Sequence, residues 1–200
     1  MVNKELKNAV IRKMKINIDT ITRASKELIG NIIRTPTIRS QHLSSEINGR
    51  VFLKLENLQY TSSFKVRGAY TSITRLKEEQ KKMGVIAMSA GNHAQAVAWW
   101  AKKERINATI VMPEHAPLFK VMKTKSLGAD VILRGRTLNE SQTYVSELVN
   151  DKKLTLIHPY DDSNVVIGQG TLGLEFVEDI KDLDLLVIPI GGGGLISGVS

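Results

Sequence analysis

The segment "GVIAMSAGNHAQAVAWWAKKERINATIVMP", residues 84–113, decides the fold class of this chain. It contains two short β-rich runs, residues 84–89 and 108–113. Between them, residues 92–104 carry apolar side chains at helical spacings of three and four. A strand, a helix and a second strand in this order are typical of an α/β fold with parallel strands.

The same alternation extends along the chain from residue 50. Strands are predicted at 51–56, 84–89, 108–113, 130–133, 154–159 and 183–190, and helices at 65–82, 92–104, 117–127, 137–150 and 163–180. Near the start, "DTITRASKELIGNII" predicts a helix with Asp19 as its N-cap, and Pro36 marks the exit into an extended segment. Gly128 is expected to end one helix. The predicted fold class is α/β, with open, mostly parallel sheets and flanking helices.

Composition narrows the class of protein. The chain has 200 residues, 42% of them apolar, which suffices for one domain or two small lobes. It has no cysteine, so it offers no disulfide, no Cys-based zinc site and no Cys nucleophile, and cytoplasm is the expected location. The net charge is +8, but the basic residues are scattered and only 5% of residues are aromatic. We therefore expect no nucleic-acid partner.

Targeting segments are not predicted. The first sixteen residues, "MVNKELKNAVIRKMKI", lack the apolar run and cleavage pattern of a secretory signal, so a solvated N-terminal arm is expected. No stretch approaches 18 consecutive apolar residues, so no membrane span is predicted. The histidines outside the segment described above, His42, His115 and His158, are too dispersed to suggest a metal site.

The glycine run in "IPIGGGGLISG", residues 188–198, is a candidate anion site. Four residues without a Cβ let the backbone curl and point successive N–H groups at a phosphate. The run lacks the Gly-Lys-Ser/Thr ending of Walker loops, and Ser197 stands where the dinucleotide pattern requires its third glycine. The alternative is a tight strand-to-helix turn, for which one or two glycines would suffice.

A second candidate site follows the predicted strand at 84–89. Ser89, Ala90, Gly91, Asn92 and His93 stand where open α/β sheets place ligands. Backbone N–H groups there suit a carboxylate, and the Asn92 amide suits a polar ring substituent. The alternative is a plain helix N-cap by Ser89 or Asn92.

The third candidate is Lys65 in "TSSFKVRGAY", residues 61–70. A lysine is usually solvated. Here it begins a predicted helix, whose partial positive charge helps to lower an amine pKa, and Phe64 beside it can desolvate the amine. A neutral lysine amine is what Schiff-base chemistry requires.

Five segments in order resemble the pyridoxal-phosphate-dependent threonine ammonia-lyases, or threonine dehydratases. They are "LKLENLQYTSSFKVRGAY", "SAGNHAQAVA", "ATIVMPEHAP", "HPYDDSNVVIGQGTLGLEF" and "VIPIGGGGLISG". The resemblance runs from about Arg34 to Ser200 and looks closest to the catabolic bacterial form. It implies a two-lobed fold type II architecture, with a larger cofactor domain from residues 1–80 and 156–200 and a smaller substrate-loop domain from residues 81–155.

The resemblance also implies roles for individual residues. Lys65 would bind pyridoxal 5'-phosphate covalently, with Phe64 packed against its ring and Asn92 at its 3-hydroxyl. The loop from Ser89 to His93 would hold the substrate carboxylate. The cofactor phosphate would bind to Gly191, Gly192, Gly193, Gly194 and Leu195. The implied activity is deamination of L-threonine, and less efficiently L-serine, by a homo-oligomer that takes a small amino-acid substrate.

Differences within the family favour elimination over related reactions. Cysteine synthase-like members have threonine where His93 stands, and threonine synthases have Asp where Val66 stands. Serine racemases place a second serine at the position of Ala90, as an acid/base for the other face of the substrate. The family usually has glycine where Ser62 stands, and the difference bears on how the local backbone approaches the cofactor.

Family members also continue well past the glycine run. The resemblance therefore implies that a C-terminal half, with the residue that contacts the pyridine nitrogen, follows Ser200. An isolated 1–200 polypeptide is expected to expose apolar surface, bind the cofactor weakly and aggregate. The rival interpretation is a non-catalytic truncated chain or a nucleotide-binding module.

Overall fold

The computed structural model describes residues 15–200. Most of the predicted N-terminal arm, up to residue 14, lies outside the described residues. The described elements, in chain order, are α1 (Ile18–Leu28), β1 (Thr37–Arg39), α2 (Gln41–Glu46), β2 (Phe52–Lys54), α3 (Lys65–Thr74), α4 (Glu78–Met83), β3 (Val85–Met88), α5 (Asn92–Lys103), β4 (Ala108–Met112), α6 (Leu118–Ser126), β5 (Asp130–Leu133), α7 (Leu138–Lys152), β6 (Thr155–Leu156), α8 (Ser163–Asp179) and α9 (Gly194–Val199). A short 3₁₀ turn spans Glu56–Leu58.

A four-stranded parallel sheet occupies the middle of the chain, in the order β5-β4-β3-β6. Val85 on β3 lies opposite Ala108 on β4 and Thr155 on β6. The sheet confirms the α/β class predicted from residues 84–113. A separate antiparallel pair joins β1 to β2, with Ile38 opposite Leu53.

Helices cover both faces of the parallel sheet because its strands are apolar on both sides. Alternate strand residues such as Val85 and Ile110 pack into one core with α3 and α5. Residues of opposite parity, Ile86 and Val111, pack against Val145 on α7. The strands therefore hold the loops at their carboxyl ends on a rigid base.

Helix α8 is the centre of the second packed group, which also contains α1, α3 and α9. Helix α8 has small residues where other helices approach it closely. A Cβ on Gly168 would lie 2.5 Å from the carbonyl oxygen of Arg67 on α3. Gly198 of α9 would meet the Val166 carbonyl at 2.3 Å in the same way. Glycines thus allow α3 and α9 to contact α8 at backbone distance.

Several predicted boundaries require correction. The N-cap of α1 is Asn17, whose side chain accepts from Thr20 N–H, and Asp19 lies in the first turn. The helix predicted at 65–82 is two helices, because Lys77 is extended (φ −68°, ψ 154°) and Gln80 caps its backbone. The short helix α2 was not predicted, and β2 pairs in an antiparallel manner.

The strand predicted at 183–190 is wrong for the described chain. These residues make no sheet pairing, because neither sheet within residues 15–200 places a strand beside them. Three apolar side chains of the segment, Leu185, Val187 and Ile190, are 70% exposed or more. The alternating apolar pattern is present, but the backbone partner that makes a strand is not among these residues.

Candidate active site

Lys65 is the first residue of α3, as predicted, and its side chain is partly buried. The Nζ atom donates a hydrogen bond to the carbonyl oxygen of Pro159 at 2.7 Å. It also lies 5.4 Å from the centroid of the Phe64 ring. Burial lowers the pKa of Lys65 below its ordinary value, which favours the neutral, nucleophilic amine.

The first turn of α3 is fixed by buried polar contacts at the two residues that follow Lys65. Trp100 on α5 donates from Nε1 to the carbonyl oxygen of Val66 at 2.9 Å. Arg67 has no exposed surface and pairs with Glu56 at 2.7 Å and with Glu175 at 2.6 Å. The backbone that carries Lys65 is therefore tied to α5, to the 3₁₀ turn and to α8.

The loop before Lys65 has two features that bear on ligand binding. Ser62, where the family usually has glycine, adopts the left-handed conformation with φ +58°. The hydroxyls of Thr61 and Ser63 are buried and have no hydrogen-bond partner in the described structure. Buried polar atoms are normally paired, so two unpaired hydroxyls in the loop before Lys65 fit a site that meets a polar ligand.

The loop at 89–93 follows the carboxyl end of β3, as predicted. The N-cap of α5 is Gly91, and neither Ser89 nor Asn92 fills that position. The Ser89 hydroxyl instead accepts the Gly91 N–H at 3.1 Å. Ala90 packs against the main core, which holds the loop close to the sheet.

His93 is buried in the first turn of α5. Its Nε2 donates to the carbonyl oxygen of Ile157 at 2.8 Å, and its Nδ1 has no hydrogen-bond partner in the described structure. Burial, opposed by the Ile157 hydrogen bond and supported by the charge of Lys65, lowers the pKa of His93 to about 4. His93 is therefore neutral at pH 7.

The glycine run forms a loop that begins at Gly191 and enters α9 at Gly194. Gly193 has φ +88°, a conformation that favours glycine. Gly192 and Gly194 face Tyr160 closely, since a Cβ on Gly192 would lie 2.1 Å from Cδ1 of that ring. Leu195 is buried behind the loop. The expected helix after the loop has only six residues in the described chain.

The turn at residues 157–160 connects the three predicted groups of site residues. Ile157 accepts from His93, Pro159 accepts from Lys65, and Tyr160 lies on the glycine loop. Residues 158–160 begin one of the five segments that carry the family resemblance, but the sequence predicted no role for them. The position of the turn directly after β6, beside β3 in the parallel sheet, is the signal that identifies it, because the carboxyl ends of neighbouring parallel strands share one edge.

Residues 15–200 contain neither a metal-binding cluster nor a membrane-spanning helix. No group of three or more His, Asp or Glu side chains there is arranged to hold a metal ion. No helix in that part of the chain has the length and apolar character needed to cross a membrane.

Together, the fold and the site define an α/β protein whose candidate reactive group is a desolvated lysine amine at a sheet edge. The chain belongs to the pyridoxal-phosphate-dependent enzyme family, whose model matches residues 28–200. It has the fold type II architecture, with a parallel sheet between flanking helices.

The relatives include both lyases and racemases. The chain is 50% identical over 186 residues to the catabolic L-threonine dehydratase TdcB of Staphylococcus aureus, across 92% of this chain and 54% of that protein. Maize serine racemase superimposes with a TM-score of 0.88 at 37% identity, over 92% of this chain and 56% of that one. Threonine deaminase isoform 2 of Solanum lycopersicum gives 0.84 at 38% identity, over 92% and 52%. The chain spans about half the length of the curated relatives it matches.

Pyridoxal phosphate is the cofactor of this family, and the described residues fit it. The Lys65 amine has a lowered pKa, as a lysine that bonds to an aldehyde requires. The loop at 191–194 has no side chain that would fill the space a phosphate needs. The unpaired Thr61 and Ser63 hydroxyls and the Nδ1 of His93 offer further polar contacts around the lysine.

Proposed function

We propose that the protein deaminates L-threonine, and less efficiently L-serine, to the corresponding 2-oxo acid and ammonia. The observation that carries this proposal is the Lys65 amine, which is partly desolvated and hydrogen-bonded to Pro159 O at 2.7 Å, in the turn that also contacts His93 and the loop at 191–194. The similarity to catabolic threonine dehydratase supports the choice of reaction. When bound, pyridoxal phosphate supplies the electron sink that stabilises negative charge on the substrate Cα.

Lys65 has two roles in this proposal. Its Nζ would hold the cofactor covalently, and the same amine, when free, would remove the substrate α-proton as a general base. Both roles need a neutral amine at working pH, which burial of Nζ favours. The carbonyl oxygen of Pro159 fixes the direction of that amine.

The loop from Ser89 to His93 orients the substrate. Backbone N–H groups of Ala90, Gly91, Asn92 and His93 would bind the carboxylate, and the Asn92 side chain would hydrogen-bond the 3-hydroxyl of the cofactor. The neutral state of His93 leaves this loop without an imidazolium charge. Phe64 would pack against the cofactor ring, and Gly191 to Gly194 with Leu195 would bind its phosphate.

Borohydride reduction in the presence of pyridoxal phosphate, followed by peptide mass mapping, tests the assignment of Lys65. We expect one reduced cofactor adduct, on the peptide that contains Lys65, and none in a Lys65→Ala variant. An adduct spread over surface lysines, or none at all, would favour the rival interpretation of a non-catalytic chain or nucleotide-binding module.

A serine racemase is the second candidate function, because maize serine racemase has a TM-score of 0.88 with this chain. Ala90 argues against it, since racemisation needs an acid/base on the face opposite Lys65 and alanine has none. Turnover of L-threonine, L-serine and D-serine separates the two. We expect 2-oxo acid from L-threonine and negligible D-serine from L-serine, and appreciable racemisation would refute the role of Ala90.

We also propose the division into a cofactor domain, residues 1–80 and 156–200, and a substrate-loop domain, residues 81–155. The parallel sheet supports this division because its strands fall within residues 81–155, apart from Leu156, the last residue of β6. A cytoplasmic homo-oligomer completes the proposal. Sedimentation of the intact protein tests the oligomeric state.

A further inference from the structure

Residues 157–160, here called the linking turn, contact both halves of the proposed cofactor site. On one side, Pro159 O accepts the hydrogen bond from Lys65 Nζ at 2.7 Å. On the other side, the next residue, Tyr160, lies against the glycine loop. One peptide unit thus separates the contact to the reactive amine from the contact to the loop.

The contact between Tyr160 and the loop is steric and specific. A Cβ on Gly192 would lie 2.1 to 2.5 Å from three atoms of the Tyr160 ring, and a Cβ on Gly194 would lie 2.9 Å from its Cα. Real Cβ contacts are not this short, so only glycine permits the loop to approach the ring. Tyr160 itself is 42% exposed, so its ring is not held there by burial in the core.

His158 holds the linking turn in shape. Its Nδ1 accepts the backbone N–H groups of Tyr160 at 3.3 Å and Asp161 at 2.8 Å, and its ring meets the Tyr160 ring edge-on at a centroid distance of 4.6 Å. An Nδ1 that accepts must carry no proton, so the turn depends on the neutral imidazole. After the turn, Asp162 caps α8 by accepting from Asn164 and Val165.

We propose that His158 and Tyr160 are positioning residues that set the separation of Lys65 from the glycine loop. His158 fixes the backbone of the turn, so that Pro159 O faces the lysine amine. The Tyr160 ring supports the loop at Gly192, and the Cα and Cβ of Tyr160 support it at Gly194. The inference rests on the proposed function, because the distance it sets matters only if one ligand contacts both the amine and the loop.

The test uses two probes on the intact protein. The first probe, 4-deoxypyridoxine 5'-phosphate, has no aldehyde, so its dissociation constant reports the loop without a bond to Lys65. The second is the pH dependence of Lys65 labelling by an amine-reactive reagent in the cofactor-free protein, read by peptide mapping. We expect Tyr160→Ala to weaken binding of the first probe at least tenfold, and Tyr160→Phe to keep it within threefold.

His158 variants should change both measurements, the dissociation constant of the phosphate compound and the pH dependence of Lys65 labelling. His158→Leu removes the Nδ1 acceptor, so we expect weaker binding of the phosphate compound together with a changed apparent pKa of Lys65. His158→Asn offers a side-chain oxygen to the same backbone N–H groups and should restore both values toward wild type. A general loss of stability would not move the pH dependence of one labelled amine, so this readout separates positioning from folding.

Gly192→Ala changes the same contact from the loop side. It can be measured if Tyr160→Ala does not fold. Gly192→Ala and Tyr160→Ala act on one contact. We therefore expect the double variant to bind the phosphate compound no more weakly than whichever single variant binds it more weakly. Wild-type affinity in Tyr160→Ala, or additive losses in the double variant, would overturn the inference. If the wild type neither binds the phosphate compound nor forms the borohydride adduct at Lys65, the proposed function itself fails.

Discussion

Arg67 on α3 donates two hydrogen bonds to Glu175 on α8, at 2.6 and 3.0 Å, in a region closed to solvent. Burial alone would lower the pKa of Arg67, but its hydrogen bonds to Glu56 and Glu175 raise that pKa above the ordinary value. The same contact holds the pKa of Glu175 below its usual range despite burial. The pair joins the backbone of Lys65, two residues away, to the long helix α8.

Replacement of Arg67 by methionine should be strongly destabilising. It would leave Glu56 with Thr35 as its remaining side-chain partner and Glu175 with Lys54. Removing one member of a buried ion pair costs about 3–5 kcal/mol, so we expect a loss of that order in the free energy of unfolding, measured by denaturant titration. Arg34→Met is the matched control, since Arg34 is exposed and pairs with Glu178 and Asp179 near the surface, and it should cost about 1 kcal/mol or less.

Ser62→Gly should stabilise the protein. Ser62 is exposed and has φ +58°. For a residue with a Cβ, that conformation costs about 1 kcal/mol of stability. Part of this gain is offset by the flexibility of glycine in the unfolded chain, so a net rise of roughly 0.5 kcal/mol is expected. Thermal unfolding measures it. Ser62→Ala keeps the Cβ and should give no rise; an equal rise in both variants would contradict the strain argument.

Gly193→Ala and Gly191→Ala separate backbone strain from crowding in the glycine loop. Gly193 has φ +88° and open space around it, so alanine there should cost about 1 kcal/mol through strain alone. Gly191 has no atom within 4 Å of a built Cβ and no positive φ, so alanine there should change stability much less. Calorimetric unfolding of both variants, with cofactor affinity measured in parallel, tests whether Gly193 is the constrained position.

Local patterns in the sequence predicted most of the fold, and the failures share a physical cause. Val85, Ile110 and their neighbours are apolar on both faces of the sheet, so periodicity alone placed β3 and β4. The segment 183–190 has an apolar strand pattern as well, but a strand also needs a neighbour to pair with, and a pattern contains no information about that neighbour.

The candidate site was predicted unevenly for a similar reason. Lys65 and the glycine run carry local signals, namely a helix start and four residues without a Cβ. His158 and Tyr160 act through the Lys65 amine and Gly192, which lie 93 and 32 positions away in sequence. Such contacts depend on the parallel pairing of β6 with β3, and residue types alone do not specify that pairing.

Stability should fall as the pH drops from about 6.5 to 4, chiefly because of His93. Its pKa is about 4 in the folded protein against an ordinary 6.5, so between these values the unfolded chain binds a proton that the folded protein does not. Burial also lowers the pKa of His158, which acts in the same direction. The His93 contribution is therefore complete above pH 6.5 and is lost on acidification. Its size over this range is about 3 kcal/mol.

Denaturant titration at a series of pH values, in the wild type and in His93→Gln, measures this contribution. The glutamine amide is neutral at every pH in this range and can reach Ile157 O, which accepts from His93 Nε2 at 2.8 Å. The variant should therefore lose most of the pH slope between 6.5 and 4 and retain the part that comes from His158. An unchanged slope would show that His93 gains a proton without unfolding, as it would if water or a carboxylate reached Nδ1, the ring nitrogen with no hydrogen-bond partner in the described structure.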